Sequence, residues 1–209
     1  MSSIDVFVAQ LRKQKNTDRI QNPYRRKVLA DNLSVYLYAM QRHWLKQTSP
    51  RVLMVGEAPG YKGCMLTGVP FSSGRIYADI DHPFLLSLKA KLTLKTSEAE
   101  NTASIVWRYL AVNNHLPLFW NAFPFHPHDA GNTQSNRAPT RVEVGQGEGY
   151  LCQLNEIFKP SVVVGVGRKG VLAAQGAFPD RNVVAVRHPS YGGKADFVKG
   201  MDEVFKLAQ

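Results

Sequence analysis

Apolar residues along the chain fall into two kinds of pattern. In residues 22–46, Val28, Leu29, Leu33, Tyr36, Leu37, Met40 and Trp44 recur at helical spacing behind Pro23, which predicts a helix. Its other face, with Arg25, Arg26, Lys27 and Arg42, reads as a solvated charged face. Four short unbroken apolar runs, at 51–56, 116–121, 161–165 and 182–187, are rich in β-branched or aromatic residues and predict buried strands. Between these runs, helical spacing returns at 83–94, 104–112, 150–158 and 170–174.

Strands that alternate with helices imply crossover connections, and crossovers imply parallel pairing with helices on both faces. The expected fold class is therefore α/β, a three-layer α/β/α sandwich around a central, mostly parallel four-stranded sheet. One domain is expected over residues 1–209, with the N-terminal helices of residues 1–50 packing on it. At 209 residues and 44% hydrophobic, the chain can build one sizeable core. No internal repeat or low-complexity linker interrupts it. Two stretches, 56–77 and 122–139, break the rhythm with Gly, Pro, Asn and Ser, and each follows directly on a strand. Ligands of open parallel sheets bind outside the carboxyl ends of the strands, so function is expected in these loops.

Charge narrows the partner. Lys and Arg number 26 against 16 Asp and Glu, a formal balance of +10. An excess of that size favours a polyanion, because each neutralised phosphate releases a condensed counterion. No run of about 18 apolar residues occurs, so no membrane span is expected, and residues 1–12 lack the unbroken apolar stretch of a signal peptide. Cys64 and Cys152 are too few for a cysteine-built zinc site or iron–sulfur cluster, and they suit a reducing, cytoplasmic location.

The candidate chemistry sits at three strand ends. Gly56-Glu-Ala-Pro-Gly-Tyr-Lys-Gly63 and the continuing Leu66-Thr-Gly-Val-Pro-Phe71 force tight turns that bring backbone amides and the Glu57 carboxylate toward whatever lies above the sheet. Taken alone, this is equally an ordinary strand-to-helix turn with a solvated glutamate. Asn121, in Trp120-Asn-Ala-Phe-Pro-Phe-His-Pro127, offers a carbonyl and an amide that can read a pyrimidine edge, although a lone Asn is more often a turn residue. His188, in Arg187-His-Pro-Ser-Tyr-Gly-Gly193, can donate a hydrogen bond into the same cleft, or serve a structural role.

In order and spacing these elements resemble the conserved elements of the uracil-DNA glycosylase superfamily. Gly-Glu-Ala-Pro-Gly and Thr-Gly-Val-Pro-Phe are most similar to the subgroup called family four, and the similarity runs from residue 51 to 205. The resemblance implies a monofunctional DNA glycosylase that flips a damaged base, uracil first among candidates, and hydrolyses its N-glycosidic bond in base excision repair. It implies Phe71 as the ring that stacks on the base and Asn121 as the reader of its amide edge. His188 would donate to the base O2, and the backbone around Gly56, Glu57 and Ala58 would hold the same edge. Pro59, Ser190, Tyr191 and Lys194 would meet DNA, with Tyr191 as a wedge in the base stack and Lys194 on phosphate. Tyr61 is a candidate floor of the base pocket. The partner is DNA containing uracil or another deaminated base, the state a monomer, and no cofactor or metal is needed.

Two departures stand out. Better-known branches carry Asp or Asn where this chain has Ala58, which leaves Glu57 as the candidate to position water. Family-four enzymes hold a four-cysteine iron–sulfur cluster that two cysteines cannot build, so a cluster-free branch is expected. Ala58 keeps open a rival, a catalytically weak or inactive lesion-binding protein on the same fold. Val164-Gly-Val-Gly-Arg-Lys-Gly170 matches the dinucleotide fingerprint, but Arg187 and His188 stand where an acidic residue belongs; an NADP enzyme is the third reading. His126-Pro-His-Asp129 is read as a solvated or phosphate-facing loop rather than a metal site.

Overall fold

The computed structural model describes residues 2–46, 50–113 and 115–207; the rest of the 1–209 span lies outside the described residues. The chain begins with helix α1 (Ser3–Lys13), whose Ser2 and Asp5 form a reciprocal capping box. A two-residue strand β1 (Ile20–Gln21) and a turn of 3-10 helix over Pro23–Arg25 lead into α2 (Lys27–Lys46). The helix expected at 22–46 thus starts five residues later. Its charged face is not wholly solvated, since the Arg26 guanidinium donates to the Met65 carbonyl.

Strand β2 (Val52–Gly56) is followed by the short helices α3 (Cys64–Thr67), α4 (Ile76–Asp79) and α5 (Pro83–Lys89), and then by α6 (Asn101–Leu110). Next come β3 (Leu118–Asn121), the two-residue β4 (His126–Pro127), α7 (Arg141–Phe158) and β5 (Val162–Val166). The chain closes with α8 (Gly167–Ala177), β6 (Val183–Val186) and α9 (Lys194–Leu207). Two expectations ran short. Helix α7 starts nine residues before the expected 150, on a Thr140–Glu143 capping box that anchors a first half weakened by Gly145, Gly147 and Gly149. Helix α8 begins at Gly167, directly where β5 ends.

The four long strands pair in the order β3-β2-β5-β6, all parallel. Strands β2 and β3 and nearly all of β5 are buried on both faces, as parallel strands under crossover helices are, whereas edge strand β6 is partly exposed. Neighbours on β3 point to opposite faces. Phe119 packs against Trp107 of α6, with centroids 5.5 Å apart, whereas Trp120 packs against Phe7 of α1 at 5.2 Å. Helices α1, α7 and α8 therefore cover one face and α6 and α9 the other, the three-layer α/β/α sandwich expected. Helix α2 seals the open edge of the sheet: Tyr36 Oη accepts a 2.7 Å hydrogen bond from the Phe119 amide of edge strand β3. Among the described residues, no helix is long and apolar enough to cross a membrane.

Candidate active site at the carboxyl edge of the sheet

The loops that leave the carboxyl ends of β2, β3 and β6 enclose a cleft of about 370 Å³. Its floor is built by the turn Thr67–Ser72. Thr67 Oγ1 accepts from the Val69 amide at 3.2 Å and lies 2.6 Å from Ser72 Oγ, which donates to the Val69 carbonyl at 2.8 Å. This knot places Phe71 in the left-handed region, φ 53°, a conformation rare for an aromatic residue and one that needs support from its surroundings. Trp107 supplies it by donating from Nε1 to the Phe71 carbonyl at 2.8 Å. The Phe71 ring stacks on Phe119, centroids 5.1 Å apart, and reaches over the end of β2. A Cβ at Gly56 would fall 2.7 Å from Cε2 of that ring, so only glycine lets the ring lie there.

Asn121 ends β3 beside Gly56 in the parallel register and is 5% exposed. None of the hydrogen bonds among the described residues uses its carboxamide, although the group lines the cleft. A nearly buried amide left without a protein partner costs free energy unless a ligand or water satisfies it, so its donor and acceptor are free to meet what enters the cleft. The backbone here is fixed: the Ala122 amide donates to the Gly56 carbonyl at 2.8 Å and the Phe123 amide to the Glu57 carbonyl at 3.0 Å.

His188 follows β6 and completes the third wall. The Ser190 amide donates to His188 Nδ1 at 3.3 Å, and a nitrogen that accepts cannot carry the ring proton of a neutral imidazole, which places that proton on Nε2. Burial holds the imidazole below the ordinary histidine range, with the nearby Glu100 carboxylate opposing, so the neutral ring is favoured. Gly167, at φ 68°, backs the ring: a Cβ there would sit 3.2 Å from His188 Cβ. The loop is tied to α6 by the Ser190 and Thr102 hydroxyls, 3.0 Å apart.

The residues singled out in the first loop divide. Glu57 lines the cleft, and burial raises its carboxyl above the ordinary range while Lys169 opposes the shift. Ala58 and Pro59 line the cleft as well, as do Ser190 and Tyr191. Tyr191 is 97% exposed and in the left-handed region at φ 53°, an aromatic ring presented to solvent at the rim. Lys194 is exposed at the start of α9 but is not part of the cleft wall. Tyr61 is not brought into the cleft either; its ring instead carries Lys62 Nζ 5.7 Å from its centroid.

The loop of His126 to Asp129 corrects the solvated reading. His126 and His128 are 1% and 3% exposed, because the loop is drawn into the wall of the cleft. His126 Nδ1 lies 2.7 Å from the Pro59 carbonyl oxygen, and the Arg137 guanidinium donates to both Glu143 oxygens at 2.7 and 2.9 Å. Among the described residues no three His, Cys, Asp or Glu side chains gather as a metal site. The thiol of Cys64, also on the cleft wall, is pushed up to about 12 by burial, so it stays protonated and unreactive.

Sequence reasoning missed Glu100, Asn136 and Arg137. Glu100 caps α6, accepting from the Thr102 and Ala103 amides at 2.9 and 2.8 Å, and its helix was expected to begin only at 104. Asn136 Oδ1 accepts from the Tyr61 amide at 3.1 Å. The Glu100-x-Thr102 cap was legible as a helix start; the long-range contacts of Asn136 and Arg137 carried no local signal.

Among curated proteins no sequence matches the chain. The solved structure of SMUG2 from Pedobacter heparinus is similar in fold, with a TM-score of 0.65 at 14% identity over 99% of this chain and 98% of that one. The family model described as the uracil DNA glycosylase superfamily matches residues 43–206, which span the sheet, the three loops and most of α9. The chain belongs to the uracil-DNA glycosylase superfamily.

Proposed function

We propose that the protein is a monofunctional DNA glycosylase that hydrolyses the N-glycosidic bond of a base flipped into the cleft, with uracil as the first candidate. The reading rests chiefly on one observation: His188, whose Nδ1 accepts from the Ser190 amide, shares a cleft with the uncommitted Asn121 amide and the Phe71 ring. Breaking the sugar–base bond puts negative charge on the departing base and positive charge on the sugar. A donor already oriented at the base oxygen stabilises the transition state more than the ground state and needs no reorganisation. Phe71 would stack on the base, and the Asn121 carboxamide would pair with its amide edge. The target must leave the helix because its glycosidic bond is out of reach in a stacked duplex.

Water would be oriented by Glu57, whose half-buried carboxyl is displaced toward the range of a general base. Ala58, where other branches of the superfamily carry Asp or Asn, supports a second reading in which the cleft holds a lesion without hydrolysing it. Tyr191 would enter the gap left by the flipped base and Lys194 would contact phosphate. The protein would act as a monomer in the cytoplasm without metal or cofactor.

The test is incubation with end-labelled oligonucleotides that each carry one uracil, hypoxanthine, xanthine or mismatched thymine, followed by alkali. Strand scission at a lesion identifies a glycosylase and its base. Firm, salt-sensitive binding with no scission at any of them selects the lesion-binding reading.

A further inference from the structure

A second cleft, of about 490 Å³, opens between the ends of α2, α5 and α6. It lies at the amino edge of the sheet: Leu116 in its wall precedes β3, and Trp44 beside it donates from Nε1 to the Leu116 carbonyl. The candidate active site, at the opposite end of the same strand, shares no lining residue with it.

The chemistry of this cleft is one-sided. Arg42, Lys46 and Lys91 line it together with His43, His82 and His115, and among the described residues no carboxylate does. Phe84, Leu110 and Leu116 form an apolar floor. Two imidazoles have polar capacity left over. His43 Nε2 is buried with no hydrogen-bond partner among the described residues. His82 Nδ1 accepts from the Phe84 amide at 3.2 Å, which puts its proton on Nε2, and no hydrogen bond among the described residues uses that atom. A buried polar atom left unpaired, and a second imidazole N–H without a partner, beside a concentration of cations call for a ligand that brings acceptors and negative charge.

A bare inorganic anion would leave the apolar floor empty, and the volume lies within the range of about 300–1,000 Å³ typical of small-molecule sites. We propose that this cleft is a binding site for a small phosphate monoester with an aromatic organic part. The phosphate is held by Lys46, Lys91 and Arg42 and by the His43 and His82 rings, and the organic part lies on Phe84 and Leu116.

Burial holds His43 and His82 below the ordinary histidine range, and repulsion from His43 adds to the shift at His82. The groups facing them are the cations Arg42 and Lys46 of α2, Lys91 after α5 and His115 before β3. Asp81, next to His82, opposes the shift of that ring. A bound dianion reverses this balance, so ligand binding raises the pKa of both rings.

The experiment titrates phenyl phosphate, and separately inorganic phosphate, into the full chain by calorimetry. Ring resonances of the histidines are followed by NMR across pH 5 to 8 with and without ligand. Phenyl phosphate is expected to bind at least about tenfold more tightly than inorganic phosphate, since an aromatic ring on an apolar floor contributes free energy well above the 1.4 kcal/mol of one decade. Binding is lost in the Lys46→Gln, Lys91→Gln double variant and kept in Asn121→Ala, and the ligand moves the His43 and His82 titrations upward. The proposal is overturned if neither anion binds at millimolar concentration, if the double variant binds as well as the parent, if Asn121→Ala abolishes binding, or if the two histidines titrate unchanged. Because both exposed lysines can be replaced without touching the core, melting temperature and excision activity of the double variant stay at the parent values.

Discussion

Phe71 and Asn121 rest on the core, whereas His188 and Tyr191 stand on a loop that the core holds at a few points. Phe71 is 9% exposed and stacked on the fully buried Phe119, and Asn121 is the last residue of a strand with 5% exposure. On the other wall, the His188 loop is fixed by a 3.3 Å bond from the Ser190 amide and a 3.0 Å contact between hydroxyls, and it ends in a tyrosine 97% exposed. Recognition of a flat base requires a rigid slot, because misplaced donors and acceptors lose the pairing energy that selects one base over another. Engaging and releasing DNA requires a surface that can meet a variable partner. On the proposed function, base choice would be set by packing and stabilisation of the leaving base by the loop.

The largest expected effects separate chemistry from stability. His188→Ala and Asn121→Ala should each lower the single-turnover excision rate about 100- to 1,000-fold, the usual cost of removing one preorganised transition-state donor, with melting unchanged. Full excision by both variants would remove the assigned roles. Phe71→Ala tests the rigid wall: loss of its stacking on Phe119 should destabilise the fold by about 3–5 kcal/mol in denaturant titrations and abolish excision with it. If Phe71→Ala were stable but inactive, the claim that recognition is built on the core would be wrong.

The wall that backs the first loop has its own pH signature. The Arg137 guanidinium holds the Glu143 carboxyl at about 2, against an ordinary value of 4.5. A depressed carboxyl contributes stability that is present above pH 4.5 and lost as pH falls through about 2. The contribution is about 3 kcal/mol, and Glu143→Gln should abolish that part of the acid dependence.

The smallest effects concern the titration of His188 and the exposed Tyr191 at the rim. Because burial lowers the His188 pKa, the acid limb of the pH–rate profile should lie below the ordinary histidine value of 6.5; a limb above it would mean that the charged ring is the active form. Tyr191→Ala should leave stability within about 0.5 kcal/mol and lower excision from duplex a few-fold, with single-stranded substrate little affected.

The parts of this architecture that were legible in the sequence are those governed by local periodicity. The strand runs at 51–56 and 116–121 end on Gly56 and Asn121, as the sheet does, and the three loops converge because parallel strands share a carboxyl edge. Residues whose role depends on distant partners were not legible. The stretch His126 to Asp129 has the composition of a solvated loop, yet His126 is buried because its acceptor, Pro59, lies 67 positions away. Glycines at 145, 147 and 149 concealed the first half of α7, whose start is held by the Thr140–Glu143 box. Tyr61 shows the reverse error: adjacency to a glycine turn did not bring its ring into the cleft.

The account depends most on the state of His188, which nitrogen-15 NMR of the ring reads directly. At pH 7 the account predicts a neutral imidazole with the proton on Nε2 and an unprotonated Nδ1, unchanged when an abasic product and free base are bound. An imidazolium, or a proton on Nδ1, would contradict it.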